Sequence, residues 1–116
     1  MIKKIILIIN LSFLLFFTPS IALGAEILQV KGPLLIQVGD SNRNYMVKLS
    51  CLDIEAEKDY EAKEWLKRKL PRGQKVNLLP QGSKNGILEA KVINLLTKKE
   101  INNELVSEGL AQYNCN

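Results

Sequence analysis

Four carboxylates lie close together in the chain, at Asp53, Glu55, Glu57 and Asp59. Carboxylates at this spacing can hold a hard cation such as Ca²⁺ or act as general bases. The same run is typical of a solvated helix entrance, because acidic side chains are favoured at the positive end of the helix dipole. The sequence leaves both interpretations open, a site that does chemistry and an ordinary start of a helix.

The absence of histidine from the 116 residues excludes several other kinds of active site. Ser-His-Asp hydrolysis, Cys-His proteolysis and histidine-bound zinc all need an imidazole. The chain also has only two cysteines, too few for a four-thiolate zinc site or an iron–sulfur cluster. These enzyme classes are therefore excluded from the composition alone.

The two cysteines, Cys51 and Cys115, lie far apart in the sequence. In an oxidising compartment they can form a disulfide, which would stabilise the fold by about 4 kcal/mol through the long loop that it closes. The alternative is one buried thiol and one thiol in the tail. Neither cysteine belongs to a Cys-x-x-Cys pair or has a histidine beside it, which argues against metal binding and thiol catalysis.

The first 24 residues are typical of a secretory signal peptide. Lys3 and Lys4 give a basic start, an apolar run extends from residue 5 to residue 17, and small residues stand at Ala22 and Gly24. We predict cleavage between Gly24 and Ala25, which leaves residues 25–116 as one secreted or periplasmic domain that meets the membrane only transiently, through its leader. A membrane anchor is the alternative, but the run of about 13 residues is shorter than the roughly 20 that span a bilayer.

A second group of side chains that could do chemistry is basic: Lys67, Arg68, Lys69, Arg72 and Lys75. Such a cluster can contact the phosphates of a nucleic acid. Cations are also favoured at the end of a helix by its dipole, without any partner. Loss of the leader lowers the formal net charge from +4 to +2, which weakens the case for nucleic acid.

The elements that must position these residues can be read from the hydrophobic pattern. Short β-prone runs separated by polar turns predict strands, and a period of about 3.6 residues predicts helices. Asn102 or Asn103 is expected to cap the second helix. The order of elements predicts a small, closed, five-stranded antiparallel barrel with two packed helices, an α+β fold that is mainly β. The predicted strands are 26–30, 34–38, 45–52, 74–80 and 87–96, and the predicted helices are 57–70 and 104–111.

The third predicted strand alternates in polarity. Val47, Leu49 and Cys51 are expected to face the core. Lys48 and Ser50 are expected to face away from it. Cys51 is therefore predicted to be a core position within the strand.

The first predicted helix carries charges in a favourable order. Asp59 stands four residues before Lys63, and Glu64 stands four residues before Arg68. Acid-to-base pairs at this spacing stabilise a helix. We expect both ion pairs to form.

Four segments resemble the staphylococcal nuclease-like (thermonuclease) family in their order and spacing. They are Val47 to Asp53, Ala62 to Leu66, Asn85-Gly86 before a strand, and Asn103 to Ala111. The resemblance extends over nearly the whole predicted mature domain. It implies an OB-fold-like barrel and calcium-dependent hydrolysis of DNA and RNA phosphodiesters.

The resemblance implies two calcium-binding aspartates and two arginines, of which one aspartate is retained in this chain. Pro33 stands where the resemblance implies a first calcium-binding aspartate, and Lys48 stands where it implies an arginine. Asp53 matches the second calcium-binding aspartate. Asp53 is thus the metal ligand that the resemblance implies, for a weakened or lost calcium site.

The catalytic glutamate and the second arginine of the family are also missing in direct register. Ala56 takes the place of the glutamate, with Glu55 and Glu57 on either side, and a slip of one residue would restore a carboxylate. Ile87 takes the place of the arginine, with Lys84 as the nearby basic residue. Asp53, Lys48 and Glu57 therefore form the vestigial catalytic set that the resemblance implies.

This pattern predicts an exported binding module that has lost most of its chemistry. Its expected partner is a protein or envelope component, or single-stranded nucleic acid; the mature chain has few aromatic residues for stacking. The alternative is an active nuclease. No cofactor is expected, except Ca²⁺ in that alternative.

Overall fold

The elements of the chain are defined here from a computed structural model that describes residues 23–115. Strands form most of the fold. One helix follows the fourth strand, after a short 3-10 turn at Ala56–Lys58, and a second helix follows the seventh strand. The helices are α1 (Asp59–Lys69) and α2 (Ile101–Ser107). The strands are β1 (Leu23–Val30), β2 (Leu35–Asp40), β3 (Arg43–Leu49), β4 (Leu52–Asp53), β5 (Lys75–Lys84), β6 (Ile87–Asn94), β7 (Lys99–Glu100) and β8 (Gln112–Tyr113).

Five of these strands close into a barrel in the order β3-β2-β1-β5-β6, with β6 returning to β3. Neighbouring strands are antiparallel except for β3 and β6, which are parallel. A parallel pair needs a long crossover, and here α1 and β5 supply it. The predicted OB-like α+β barrel is confirmed, with one parallel pairing that the strand pattern did not predict.

The core lies inside the barrel and beneath the two helices. Residues that alternate along each strand point inward because successive side chains of a strand face opposite sides. The helices close the barrel with one apolar face each. The buried core comprises Ile27, Val30, Ile36, Val38, Val47, Leu49, Leu52, Ala62, Trp65, Leu66, Leu70, Val76, Leu78, Ala90, Val92, Ile101, Leu105 and Leu110.

The end of the third strand differs from the prediction. β3 stops at Leu49, and Cys51 takes a left-handed conformation with φ of 60° in a half-buried turn. Ser50, expected to face solvent, is buried. The prediction that Cys51 is a core position in the strand is wrong, because the chain leaves the barrel wall two residues earlier.

The charged pairs of α1 also differ from the prediction. Glu64 pairs with Lys67 at 3.2 Å between Oε2 and Nζ, three residues along the helix. The other ion pair in the described part of the chain joins Glu26 to Lys75 at 3.0 Å. The expected i,i+4 pairs of Asp59 with Lys63 and of Glu64 with Arg68 are wrong. Residues three and four apart are both neighbours on a helix, so either base can take the acid.

The second helix begins earlier than predicted, at Ile101, and Glu100 occupies the capping position without a side-chain bond. Neither Asn102 nor Asn103 is the cap. Asn102 is buried in the first turn. Its Oδ1 accepts from the Val92 N–H at 3.1 Å, and its Nδ2 donates to the Ser50 carbonyl at 3.0 Å. The side chain therefore serves the barrel wall instead of its own helix.

The β5–β6 hairpin is longer than the sequence predicts. β5 continues to Lys84, and the turn is reduced to Asn85 and Gly86. Both have positive φ, 54° and 78°, as a two-residue type I′ turn requires. Within residues 23–115, neither helix is long and apolar enough to cross a bilayer. The predicted leader lies outside the described residues apart from its last two.

Candidate functional site

Asp53, the expected metal ligand, lies on the two-residue strand β4. Its side chain is exposed, and Oδ1 accepts a hydrogen bond from the Ile54 N–H at 3.0 Å. β4 pairs with β8, which sets Asp53 opposite Gln112. Asp53 lines a small cleft of about 40 Å³ together with Glu55, Lys58 and the chain from residue 109 to residue 112.

The lining of this cleft does not fit calcium. Ca²⁺ takes about 6–8 oxygen ligands, whereas this cleft offers the carboxylates of two residues, Asp53 and Glu55. The ammonium group of Lys58 lies in the same cleft and donates to the Gly109 carbonyl at 2.9 Å. Within residues 23–115 no three carboxylate or thiol groups come together as a metal site. The lining of the cleft around Asp53 therefore does not support a metal-dependent catalytic step.

Lys48 lies elsewhere, on the outer face of β3. It is exposed, with Leu35 of β2 opposite it on one side and Glu89 of β6 on the other. It lines a groove of about 220 Å³ with Lys84, Asn85, Ile87 and Glu89. We call this the β3–β6 groove.

The structure therefore separates the residues that the sequence grouped together. Lys48 and Asp53 line two different depressions, and Glu57 is exposed on the 3-10 turn and lines neither of them. A larger groove of about 680 Å³, between the start of β1 and the β2–β3 turn, contains none of the three. Neither the cleft around Asp53 nor the β3–β6 groove is lined by more than one of the three residues.

The β3–β6 groove brings together two cations. The Asn85-Gly86 turn folds β5 back on β6 and so carries Lys84 to the groove that Lys48 lines. Neither ammonium belongs to an ion pair among the described residues. Two ammonium groups and one amide can donate hydrogen bonds to a phosphate or carboxylate. The sequence identified Lys84 as a nearby basic residue, but it did not predict that Asn85 and Glu89 line the same groove. The Asn-Gly pair is typical of the tight hairpin that brings Asn85 there.

The disulfide joins the tail to the segment that carries Asp53. Cys51 and Cys115 are bonded, with their Cα atoms 4.3 Å apart. The Asn114 N–H donates to the Cys51 carbonyl at 2.9 Å, next to the pairing of β4 with β8. Both sulfurs are used in this bond, so neither is a free nucleophile or a metal ligand.

The basic cluster after α1 is partly engaged within the protein. Lys67 pairs with Glu64, Lys75 pairs with Glu26, and the Lys69 ammonium lies 5.6 Å from the centre of the Trp65 ring. An ammonium at this distance is attracted to the face of the ring. These contacts account for three members of the cluster without an external ligand. Arg68 and Arg72 are exposed.

Comparison with known proteins adds no assignment. No family model matches the chain, and no curated protein matches it.

Proposed function

We propose that this protein is an exported, non-catalytic binding module with an OB-type barrel, and that the β3–β6 groove holds a single-stranded nucleic acid. The observation that carries the proposal is the separation of charges. Lys48 and Lys84 share one groove, whereas Asp53 shares a small cleft with the cationic Lys58. The groove can therefore bind an anion, whereas Asp53, the carboxylate expected to take part in hydrolysis, lines a different cleft.

The energetic cost of this separation argues against catalysis. Phosphodiester hydrolysis needs a held cation, an oriented water and cationic donors at one place. Loss of one such donor costs about 3–4 kcal/mol, or roughly a hundred- to thousandfold in rate. The cleft around Asp53 places the cationic Lys58 beside its carboxylates, and Lys48 lines a different depression.

Export is supported by two independent features of the chain. The first 24 residues have the pattern of a signal peptide, and Cys51 is bonded to Cys115. Disulfides persist in secreted and periplasmic proteins and are rare in reducing compartments. We therefore propose a secreted or periplasmic location.

The lining of the β3–β6 groove favours a phosphate backbone over an apolar protein surface. Lys48 and Lys84 are cationic, Glu89 is the one carboxylate of the lining, and Ile87 is its one apolar residue, so the groove has a net positive charge. The groove has no aromatic side chain, so base stacking adds nothing there, and binding should depend strongly on salt. A protein or envelope component remains the competing partner.

The proposal can be tested on residues 25–116 with a fluorescent single-stranded DNA. We expect anisotropy to report binding that weakens in the double variant Lys48→Ala/Lys84→Ala. The variant Lys98→Ala/Lys99→Ala, which removes the same charge where the turn after β6 enters β7, is the matched control and should bind like the wild type. Equal binding by all three proteins would show that the groove is not the site, and no binding by the wild type would favour a protein partner.

The same DNA tests the alternative of a calcium-dependent nuclease. We expect no cleavage with calcium and no calcium-induced rise in melting temperature, since a ligand of the folded state would raise it. Cleavage that disappears in Asp53→Ala would overturn the proposal and establish the nuclease. An unchanged product pattern in that variant would point to a contaminating enzyme.

A further inference from the structure

Another groove lies between β1 and α1, apart from the cleft around Asp53 and from the β3–β6 groove. Its volume is about 270 Å³. Lys63 and Lys67 of α1 line one side, and Arg72 comes from the turn that follows the helix. Its other lining residues, Leu28, Gln29, Val30, Leu70 and Pro71, carry no charge. We call this the β1–α1 groove.

No carboxylate lines this groove, which distinguishes it from the β3–β6 groove with its Glu89. Lys63 and Arg72 belong to no ion pair among residues 23–115. Lys67 forms an ion pair with Glu64, which partly offsets its charge. Three cations around one depression repel each other. A bound anion relieves this repulsion, so the groove is electrostatically prepared for negative charge.

The helix dipole does not account for all of these cations. A dipole favours bases within the last turn of a helix. Lys67 fits that explanation, but Lys63 stands in the middle of α1, which runs from Asp59 to Lys69. Arg72 lies beyond the end of the helix. Lys63 and Arg72 therefore need another reason to line the same groove.

An exposed aromatic ring lies on the same flank of α1 as Lys63 and Lys67, in the first turn beside the acidic Asp59 and Glu61. Tyr60 stands one helical turn before Lys63, which stands one turn before Lys67, so the three lie along one flank of α1. The Tyr60 side chain is 77% exposed, and no intramolecular packing explains its position. Aromatic faces stack on the bases of single-stranded nucleic acids, beside cations that follow the backbone.

We infer that the β1–α1 groove is an anion site that holds the phosphate groups of a single-stranded nucleic acid, with a base stacked on Tyr60. The Arg72 guanidinium can grip one phosphate with two parallel hydrogen bonds. Lys63 and Lys67, one turn apart, can contact successive phosphates. The identity of the ligand rests on the proposed function, whereas the location of the anion site does not depend on it.

The anion site can be tested without any nucleic acid. We expect inorganic pyrophosphate, titrated into ¹⁵N-labelled protein, to shift the amide signals around Lys63, Lys67 and Arg72 more than those around Lys98 and Lys99. Equal shifts at all exposed lysines, or none, would overturn the anion site.

The nucleic acid is tested with oligothymidylates at several salt concentrations. Each contact of a single strand with phosphate contributes about 0.7 to the slope of log K against log salt. The variant Lys63→Gln/Arg72→Gln should therefore lower the slope by about 1.4 relative to the wild type. Lys98→Gln/Lys99→Gln is the matched control, and an equal loss in this control would overturn specific contact.

Substitutions of Tyr60 test base stacking separately from the charge of the groove. Tyr60→Ala should weaken oligothymidylate binding at least about fivefold, because each stacked base contributes measurably to affinity. Tyr60→Phe keeps the aromatic face and should keep the affinity. Equal affinities of the alanine and phenylalanine variants would overturn the stacking role.

The variants separate this inference from the proposed function. Loss of binding in Lys63→Gln/Arg72→Gln with no loss in Lys48→Ala/Lys84→Ala would support the β1–α1 groove and reject the β3–β6 groove. The reverse result would reject the β1–α1 groove alone. Cleavage of the oligonucleotide would reject the non-catalytic function, and the pyrophosphate titration would still decide the anion site.

Discussion

Asn102 is the residue that holds the barrel closed where β3 leaves β6. The parallel register ends at Leu49 and Ala90, and the Asn102 amide then bonds the Ser50 carbonyl and the Val92 N–H. The side chain is 2% exposed, so water cannot replace these bonds. The Asn102 amide therefore replaces hydrogen bonds between β3 and β6 that are lost where β3 ends.

Asn102→Ala should destabilise the protein strongly. The change leaves one buried donor and one buried acceptor without partners, at a cost of roughly 1–3 kcal/mol for each. Urea unfolding measures the loss. Asn42→Ala removes an exposed amide in the turn between β2 and β3 and is the control, with an expected change within about 0.5 kcal/mol. Equal effects of the two changes would contradict the role given to Asn102.

Tyr45 gives stability a dependence on alkaline pH. Burial raises the pKa of its phenol above 10.0, the Asp40 carboxylate raises this pKa further, and Arg43 lowers it. A raised pKa means that the unfolded chain loses the proton first, so the contribution is present below about pH 10 and is lost as pH rises through the folded-state pKa. Between roughly pH 9 and 11, the free energy of unfolding measured in urea should fall more for the wild type than for Tyr45→Phe. Parallel curves would refute this dependence.

At the level of elements, the disulfide links the turn after β3 to the C-terminal tail. It closes a loop with a sequence separation of 64, and it lies beside the short β4–β8 pair. A pair of two-residue strands is too short to hold a tail without further support. The disulfide therefore fixes the segment that carries Asp53 and the cleft around it.

The variant Cys51→Ser/Cys115→Ser should lower the free energy of unfolding by about 4 kcal/mol, through the greater chain entropy of its unfolded state. Urea unfolding gives the value. A reducing agent should lower the melting temperature of the wild type and leave that of the double variant unchanged. Two free thiols in the unreduced wild-type protein would show that the bond does not form in solution.

The elements were predictable to the extent that they follow local rules. Alternation located the barrel strands, and the helical period located α1 because its apolar residues repeat on one face. The buried role of Asn102 was not predictable, because its partners on β3 and β6 are distant in sequence. The separation of Lys48 from Asp53 was hidden for the same reason: it depends on where β3 ends, and strand ends follow the packing of the whole barrel.

At the level of the whole molecule, the small net charge conceals two regions of opposite sign. Lys58 binds the Gly109 carbonyl and so joins the acidic start of α1 to the end of α2, whose exposed Glu108 adds to the negative side. Cations line open grooves in other parts of the molecule, among them the β3–β6 and β1–α1 grooves and the larger groove that Arg43 and Lys75 line. The proposed anionic ligand would therefore meet local positive charge, which the net charge of the predicted mature chain does not show.

The exported protein should begin at Ala25, as the small residues before it predict. β1 starts two residues earlier, at Leu23, but the Ala25–Val76 register and the Glu26–Lys75 ion pair remain after cleavage. Gly24 is exposed and adds no side chain to the core, so the strand survives the loss. Intact-mass measurement of the exported protein gives the terminus, and an N-terminus at Met1 would show that the leader is retained. A chain that begins at Ala25 should match the stability of one that begins at Leu23 within about 1 kcal/mol in urea.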